Sequence, residues 1–126
     1  LSPEGYRKEE KIRSIIDYIN AHYQEDLNID QLAGICGYSS THFMNFFKKH
    51  LGVSCIEYLI QFRLRKAAEL LQHSNLSVLE ISSQAGFNNL SNFNRQFKKY
   101  YQMTPSQYRK KWSSKMENKK NECLLS

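Results

Sequence analysis

The sequence predicts an all-α fold in which seven helices form two similar subdomains joined by a long connector helix. Three observations carry this expectation. Among 126 residues only 5 are Gly and 2 are Pro, while Leu, Ile, Lys, Glu and Gln, which cost little in a helix, are plentiful. Apolar residues recur at helical spacing rather than in strand-like alternation. Finally, the chain repeats its own pattern about fifty residues further on.

The first copy runs from Leu27-Asn28-Ile29 through Gly37-Tyr38 to Phe43, Phe47-Lys48-Lys49, Ser54 and Tyr58. The second runs from Leu76-Ser77-Val78 through Gly86-Phe87 to Phe93, Phe97-Lys98-Lys99, Thr104 and Tyr108. The offset slips by one residue between the glycine and the first phenylalanine. Each copy reads helix, glycine turn, helix with a basic end, the outline of a helix-turn-helix.

In chain order, residues 1–8 are expected as a linker, and a first helix near 9–24 carries Ile12, Ile15, Ile16, Ile19 and Tyr23 on one stripe. Asn28 with Gln31, Ser54 with Glu57, Ser77 with Glu80 and Thr104 with Gln107 have capping-box spacing. They help to place helices near 28–36, 40–51, 55–73, 77–85, 89–101 and 105–112. Gly37 and Gly86 are expected to close the first helix of each copy in a left-handed conformation. Pro105 stands at a first helical position, where its missing N–H costs nothing.

The helix at 55–73 connects the copies. Its apolar residues Ile56, Leu59, Ile60, Leu64, Ala67, Leu70 and Leu71 can pack against both halves. About nineteen residues at ~1.5 Å each make a rod of roughly 28 Å. Two helices reading one face of a DNA duplex need centres about 34 Å apart, which a rod of that length plus its attachments provides. The expected organisation is a first unit at 9–54, the connector at 55–73, a second unit at 74–112, and a polar, disordered tail at 113–126.

The net charge is +6, and its placement is more informative than its size. From Asn88 to Trp112 there is no Asp or Glu, against Arg95, Lys98, Lys99, Arg109, Lys110 and Lys111. Acidic residues gather near the N-terminus, at Glu9, Glu10, Asp17, Glu25, Asp26 and Asp30. One basic face fits a polyanion, and a helix-turn-helix makes that polyanion double-stranded DNA.

Other classes fare worse. A helical module for protein partners leaves the acid-free basic face without a purpose. An enzyme needs a nucleophile–base pair, a glycine-rich phosphate loop or a metal cluster, and none is legible. Cys36, Cys55 and Cys123 lack CxxC spacing, and His22, His42, His50 and His73 lack ligand spacing, so no metal, disulfide framework or cofactor is expected. Cys36 and Cys55 read as buried thiols. No apolar run is long enough for a bilayer and no signal peptide is legible, so a cytoplasmic, nucleoid-associated protein without a membrane partner is expected. Cys123-Leu124-Leu125-Ser126, behind Lys119-Lys120, formally matches a prenylation box and is read as coincidence. Because the chain starts at Leu1, it is expected to be a piece of a longer protein.

These residues resemble the DNA-binding domain of the AraC/XylS family of bacterial transcription regulators over roughly residues 9–112. The most specific stretch is Ile81-Ser82-Ser83-Gln84-Ala85-Gly86-Phe87-Asn88-Asn89, then Phe93, Arg95, Phe97-Lys98, Thr104-Pro105 and Tyr108-Arg109. Leu32-Ala33, Cys36-Gly37-Tyr38-Ser39, Phe43, Phe47-Lys48-Lys49, Arg63, Ala67 and Leu70-Leu71 also fit. Cys55 departs from the pattern, since the second copy and many relatives carry proline there. The resemblance implies two helix-turn-helix units reading successive major grooves, most often to activate transcription. It also implies a separate sensing or dimerisation domain, and RNA polymerase is a further expected partner.

On each second helix, the pairs Phe43/Phe47 and Phe93/Phe97 mark the core side at i, i+4. By resemblance the base-contacting positions are Thr41, Met44 and Asn45 in the first unit, and Leu90, Ser91, Asn92 and Arg95 in the second, where Asn89 lies on the same face. Arg95 can bridge guanine O6 and N7, Asn45 and Asn92 can pair with adenine, and Thr41, Met44 and Leu90 can pack on thymine methyls. An A·T-leaning first half-site and a guanine under Arg95 are therefore expected. The expected phosphate contacts are Ser40, Lys48, Lys49, Lys98, Lys99, Arg109 and Lys110. A Lys-Lys pair at a helix end ordinarily serves the helix dipole; its duplication at matching positions favours phosphate.

Overall fold

The computed structural model describes the backbone of residues 3–113 and the side chains from residue 7 to 113. Among the described residues there are seven helices and no strand. They are α1 (Pro3–His22), α2 (Ile29–Cys36), α3 (Ser40–Leu51), α4 (Cys55–His73), α5 (Val78–Gln84), α6 (Leu90–Tyr101) and α7 at 105–113. The polar tail from residue 114, with the Cys123 box, lies outside the described residues.

One expectation is corrected. The stretch read as a linker is helical from Pro3 onward, because proline's fixed φ suits a first helical turn, where its missing N–H costs nothing. The other helix starts lie where capping side chains put them. Asn28 and Ser77 form reciprocal capping boxes with Gln31 and Glu80. Thr104 and Gln107 do the same for α7, at 2.9 and 3.2 Å. Ser54 Oγ accepts from the Glu57 N–H at 3.1 Å, which starts α4. Each such cap stabilises its helix by about 1 kcal/mol.

The backbone divides into two compact units within α4, between Phe62 and Arg63. In the first unit, Ile15 and Ile19 of α1, Leu32, Ala33 and Cys36 of α2, Phe43 and Phe47 of α3, and Cys55 and Leu59 of α4 share one core. In the second, Leu64, Ala67, Ala68 and Leu71 of α4 are buried, as are Ile81 and Ala85 of α5, Phe93 and Phe97 of α6, and Tyr108 of α7. The connector's apolar stripe thus supplies core residues to both units. Each fully buried phenylalanine contributes roughly 1.5–3 kcal/mol of apolar burial.

The two turns are closed alike by backbone bonds. The Tyr38 N–H donates to the Ala33 carbonyl at 3.0 Å and the Gly37 N–H to the Gly34 carbonyl at 3.1 Å. The Phe87 N–H donates to Ser82 at 2.9 Å and the Gly86 N–H to Ser83 at 3.0 Å. This is the Schellman closure, which needs a left-handed residue at its bend. Gly37 (φ 71°) and Gly86 (φ 95°) provide it. After the bend, Ser39 caps α3 directly, whereas the second unit inserts Asn88 before its cap, Asn89. That inserted residue is the one-residue slip in the repeat.

Candidate nucleic-acid interface

Helices α3 and α6 are built to show one face. Phe43, Phe46 and Phe47 are buried on α3, Phe93 and Phe97 on α6. Their rings stack along the helix and onto a tyrosine from the next helix. Phe43–Phe47 centroids lie 6.0 Å apart and Phe47–Tyr58 5.6 Å; Phe93–Phe97 lie 5.8 Å apart and Phe97–Tyr108 5.4 Å. Edge-to-face and tilted rings at such distances pack favourably and lock the rotation of each helix about its own axis. The Tyr108 hydroxyl accepts from Gln72 Nε2 at 2.7 Å, so this end of the second ladder is also hydrogen-bonded.

With the aromatic face sealed, the opposite face is solvent-facing. Thr41, Met44, Asn45, Lys48 and Lys49 are exposed on α3, and Leu90, Ser91, Arg95, Lys98 and Lys99 on α6. Met44 at 42% and Leu90 at 37% exposure are large apolar side chains left in water on otherwise polar faces, as side chains meeting thymine methyls would be. Placing Phe43 on Phe93 aligns Thr41 with Ser91, Asn45 with Arg95 and Lys48 with Lys98. It also aligns Met44 with Asn94, an exposed residue that the sequence reading passed over. Carrying the fifty-residue offset through every position of the helix would have found it.

Five residues expected to contact DNA are already engaged within the protein. Asn89 accepts the Asn92 N–H at 3.0 Å as the cap of α6, which fixes the orientation of its amide and leaves its NH₂ as the donor for the duplex. Arg95 Nη2 donates to Asn92 Oδ1 at 2.8 Å, which couples two residues expected to read separately. The Ser40 hydroxyl donates to the Asp30 carboxylate, leaving its backbone N–H as the donor for a phosphate. Arg109 donates through Nε to the Leu71 carbonyl and through Nη2 to the Ser74 carbonyl, each at 3.3 Å. These carbonyls sit at the C-terminal end of α4, where backbone acceptors lack helical partners, and Arg109 thereby fastens α7 to α4.

Burial favours the protonated form of both thiols. Burial pushes Cys36 upward against the opposing pull of Lys11. Burial and then the neighbouring Cys36 push Cys55 up to about 12. Among the described residues no group of His, Cys, Asp and Glu could hold a metal ion. No described helix is long and apolar enough to cross a membrane.

A capped helix sealed by phenylalanines on one side, polar and basic on the other, and built twice, is the reading element of a tandem helix-turn-helix DNA-binding domain. Residues 32–111 match the sequence model of a family described as a helix-turn-helix domain, of the AraC type. The chain belongs to the AraC/XylS family of transcription regulators, whose fold and family are those of DNA-binding proteins.

The relatives include an HTH-type transcriptional regulator of Haemophilus influenzae, 42% identical over 87 residues, which cover 69% of this chain and 29% of that protein. The lactose operon transcription activator of Staphylococcus xylosus is 33% identical over 104 residues, covering 82% of this chain and 37% of the activator. Among solved structures, the C-terminal domain of the two-component response regulator yesN from Fusobacterium nucleatum is 37% identical with a TM-score of 0.75, covering 77% of this chain and 95% of that one. The chain therefore spans little more than a third, at most, of either full-length relative.

Proposed function

We propose that the chain binds double-stranded DNA sequence-specifically, with α3 and α6 in successive major grooves, and that the protein it belongs to regulates transcription as an activator. The observation that carries this is the duplicated reading face: two N-capped helices with the same phenylalanine–tyrosine ladder behind them and different polar residues in front. The activator relative of Staphylococcus xylosus supports the direction of regulation. The assignment has no catalytic component or cofactor. It includes a cytoplasmic location, a sensing or dimerisation domain elsewhere in the protein, and RNA polymerase as a second partner.

In this reading Thr41, Met44 and Asn45 meet an A·T-leaning half-site, and Leu90, Ser91 and Arg95 a half-site with guanine under Arg95; Asn94 joins the second set. Lys48, Lys49, Lys98, Lys99 and Lys110 neutralise phosphates, with Ser40 contributing through its backbone N–H. Asn89 and Arg109 act first as cap and fastener, and reach the duplex only with their remaining donors.

The test is selection of bound duplexes from a random pool at near-physiological salt. Two reading blocks about one helical turn apart are expected. A pool with no enriched sequence would reject sequence-specific reading. A single block would reject joint reading by the two units.

A further inference from the structure

The first unit carries a second cluster of positive charge, which belongs to α1 and is not among the phosphate contacts assigned above. Arg7, Lys8 and Lys11 line an open concavity of ≈ 340 Å³ together with Tyr38, from the turn before α3, and His42, from the first turn of α3. No carboxylate lines it. None of the three cations is ion-paired with a described carboxylate.

The arrangement is ordered by ring contacts. Lys11 Nζ stands 4.1 Å from the centroid of the Tyr38 ring. That ring stacks on His42 at 4.0 Å and meets Phe46 edge-on at 5.2 Å. Lys11 is therefore held by a ring that is itself packed against the reading helix. Ile15 and Ile19, one and two turns further along the same side of α1, are fully buried in the first unit's core. That stripe continues backward through Lys11 to Lys8 by steps of three and four residues, so the cations overhang the start of α3.

Helical geometry also sorts the charges. At about 100° per residue, Arg7, Lys8 and Lys11 fall within a ~100° arc and Glu9 falls well outside it; Glu10 flanks the arc on the side away from Lys8, in an adjoining concavity with Arg7 and Lys11. Around α3, His42 lies on the flank between the exposed face and Phe46. A helix seated in a major groove is bordered along its flanks by the phosphate backbones.

We infer that Arg7, Lys8 and Lys11 of α1, with His42 beside them, form a phosphate-backbone clamp on the flank of α3, giving the first unit the electrostatic hold that α6 and α7 give the second. This rests on the DNA-binding reading and adds to it. The ligand is the duplex backbone and not a base, so the contribution is independent of sequence.

The experiment compares the wild-type chain with Arg7→Gln/Lys8→Gln/Lys11→Gln on the selected operator and on a scrambled duplex, from 50 to 200 mM salt. Lys98→Gln serves as a control for a phosphate contact on the other unit. The slope of log K against log salt is expected to flatten by about 0.9 for each phosphate released, up to ~2.7 for three. Across that salt range this corresponds to a relative change of roughly 3-fold for one phosphate and 40-fold for three. The loss should be equal on both duplexes, and Lys8→Arg/Lys11→Arg should retain the wild-type slope. An unchanged slope in the triple variant, or a loss confined to the operator, overturns the clamp while leaving DNA binding intact. Absence of salt-sensitive binding by the wild-type chain overturns the DNA-binding reading itself.

Discussion

The hydrogen bond between Arg95 and Asn92 makes the most discriminating prediction. Arg95 is exposed on α6 and donates through Nη2 to Asn92 Oδ1 at 2.8 Å. A guanidinium has five N–H donors in a rigid plane, so one given to Asn92 leaves enough for a parallel pair to guanine O6 and N7. The bond turns Asn92 Oδ1 toward the guanidinium, whereas bidentate pairing with adenine needs the same amide turned to the N6 amine and N7. In the proposed reading Asn92 therefore acts on the base pair under Arg95 as a positioning residue.

Arg95→Ala should cost roughly 1–3 kcal/mol of discrimination, about 5- to 150-fold, at one base pair. Asn92→Ala removes one exposed, charge-assisted bond and should cost about 0.5–1.5 kcal/mol at the same base pair. The double variant should then lose little more than Arg95→Ala alone, because contacts sharing one partner are not additive. Fluorescence anisotropy on the selected operator and its three single-base-pair replacements under Arg95 reads all of these terms. If Asn92→Ala relaxed preference at a different base pair, and its cost added fully to that of Arg95→Ala, the coupling would be refuted and Asn92 would be an independent reader.

Two further predictions concern stability. Gln102 ends α6 with φ 57°, in the position that Gly52 (φ 78°) holds in the first unit. Gln102→Gly relieves about 1–2 kcal/mol of left-handed strain and returns ~0.4–1 kcal/mol through the freer unfolded chain; calorimetry should show a net gain of a few tenths to about 1 kcal/mol, and a lower melting temperature would refute it. Cys55, raised to about 12 by burial and Cys36, keeps its proton in the folded chain at pH values where the unfolded thiol, near 9.0, has lost it. The unfolded state then binds fewer protons, so this stabilisation is intact below pH 9 and is lost as the pH rises toward 12. Cys55→Ala should reduce the slope of stability against pH in that window, measured by urea denaturation, whatever its effect at neutral pH.

Much of the fold was legible because its punctuation is local. Asn28, Ser77 and Thr104 are side chains that finish the helix they precede, so their spacing announces the helix start, and Gly37 and Gly86 mark positions where φ must be positive. The early start of α1 was hidden because its apolar stripe begins only at Ile12, although Pro3 is well suited to a first turn. The exposed faces of α3 and α6 followed from the phenylalanine periodicity. What the sequence concealed were contacts that depend on rotamers, such as Arg95 with Asn92 and Ser40 with Asp30, or on folding, such as Arg109 with the end of α4. The α1 cations were concealed for another reason. Counted along the chain, Glu9 and Glu10 offset them, and only rotation about the helix axis leaves Arg7, Lys8 and Lys11 together on a concavity that neither glutamate lines.

The paired aromatic ladders have a consequence for how such a protein changes over time. Phe43, Phe47 and Tyr58 hold one helix, Phe93, Phe97 and Tyr108 the other, and neither ladder includes a residue from the exposed face. Substitutions at the exposed Thr41, Met44, Asn45, Ser91, Asn94 or Arg95 are therefore expected to leave the core intact, and in the proposed reading they change only what is recognised. If each helix reads one half of an operator, as proposed, the two halves can drift separately while the scaffold stays fixed. Recognition and architecture are in that sense separately heritable within a single short chain.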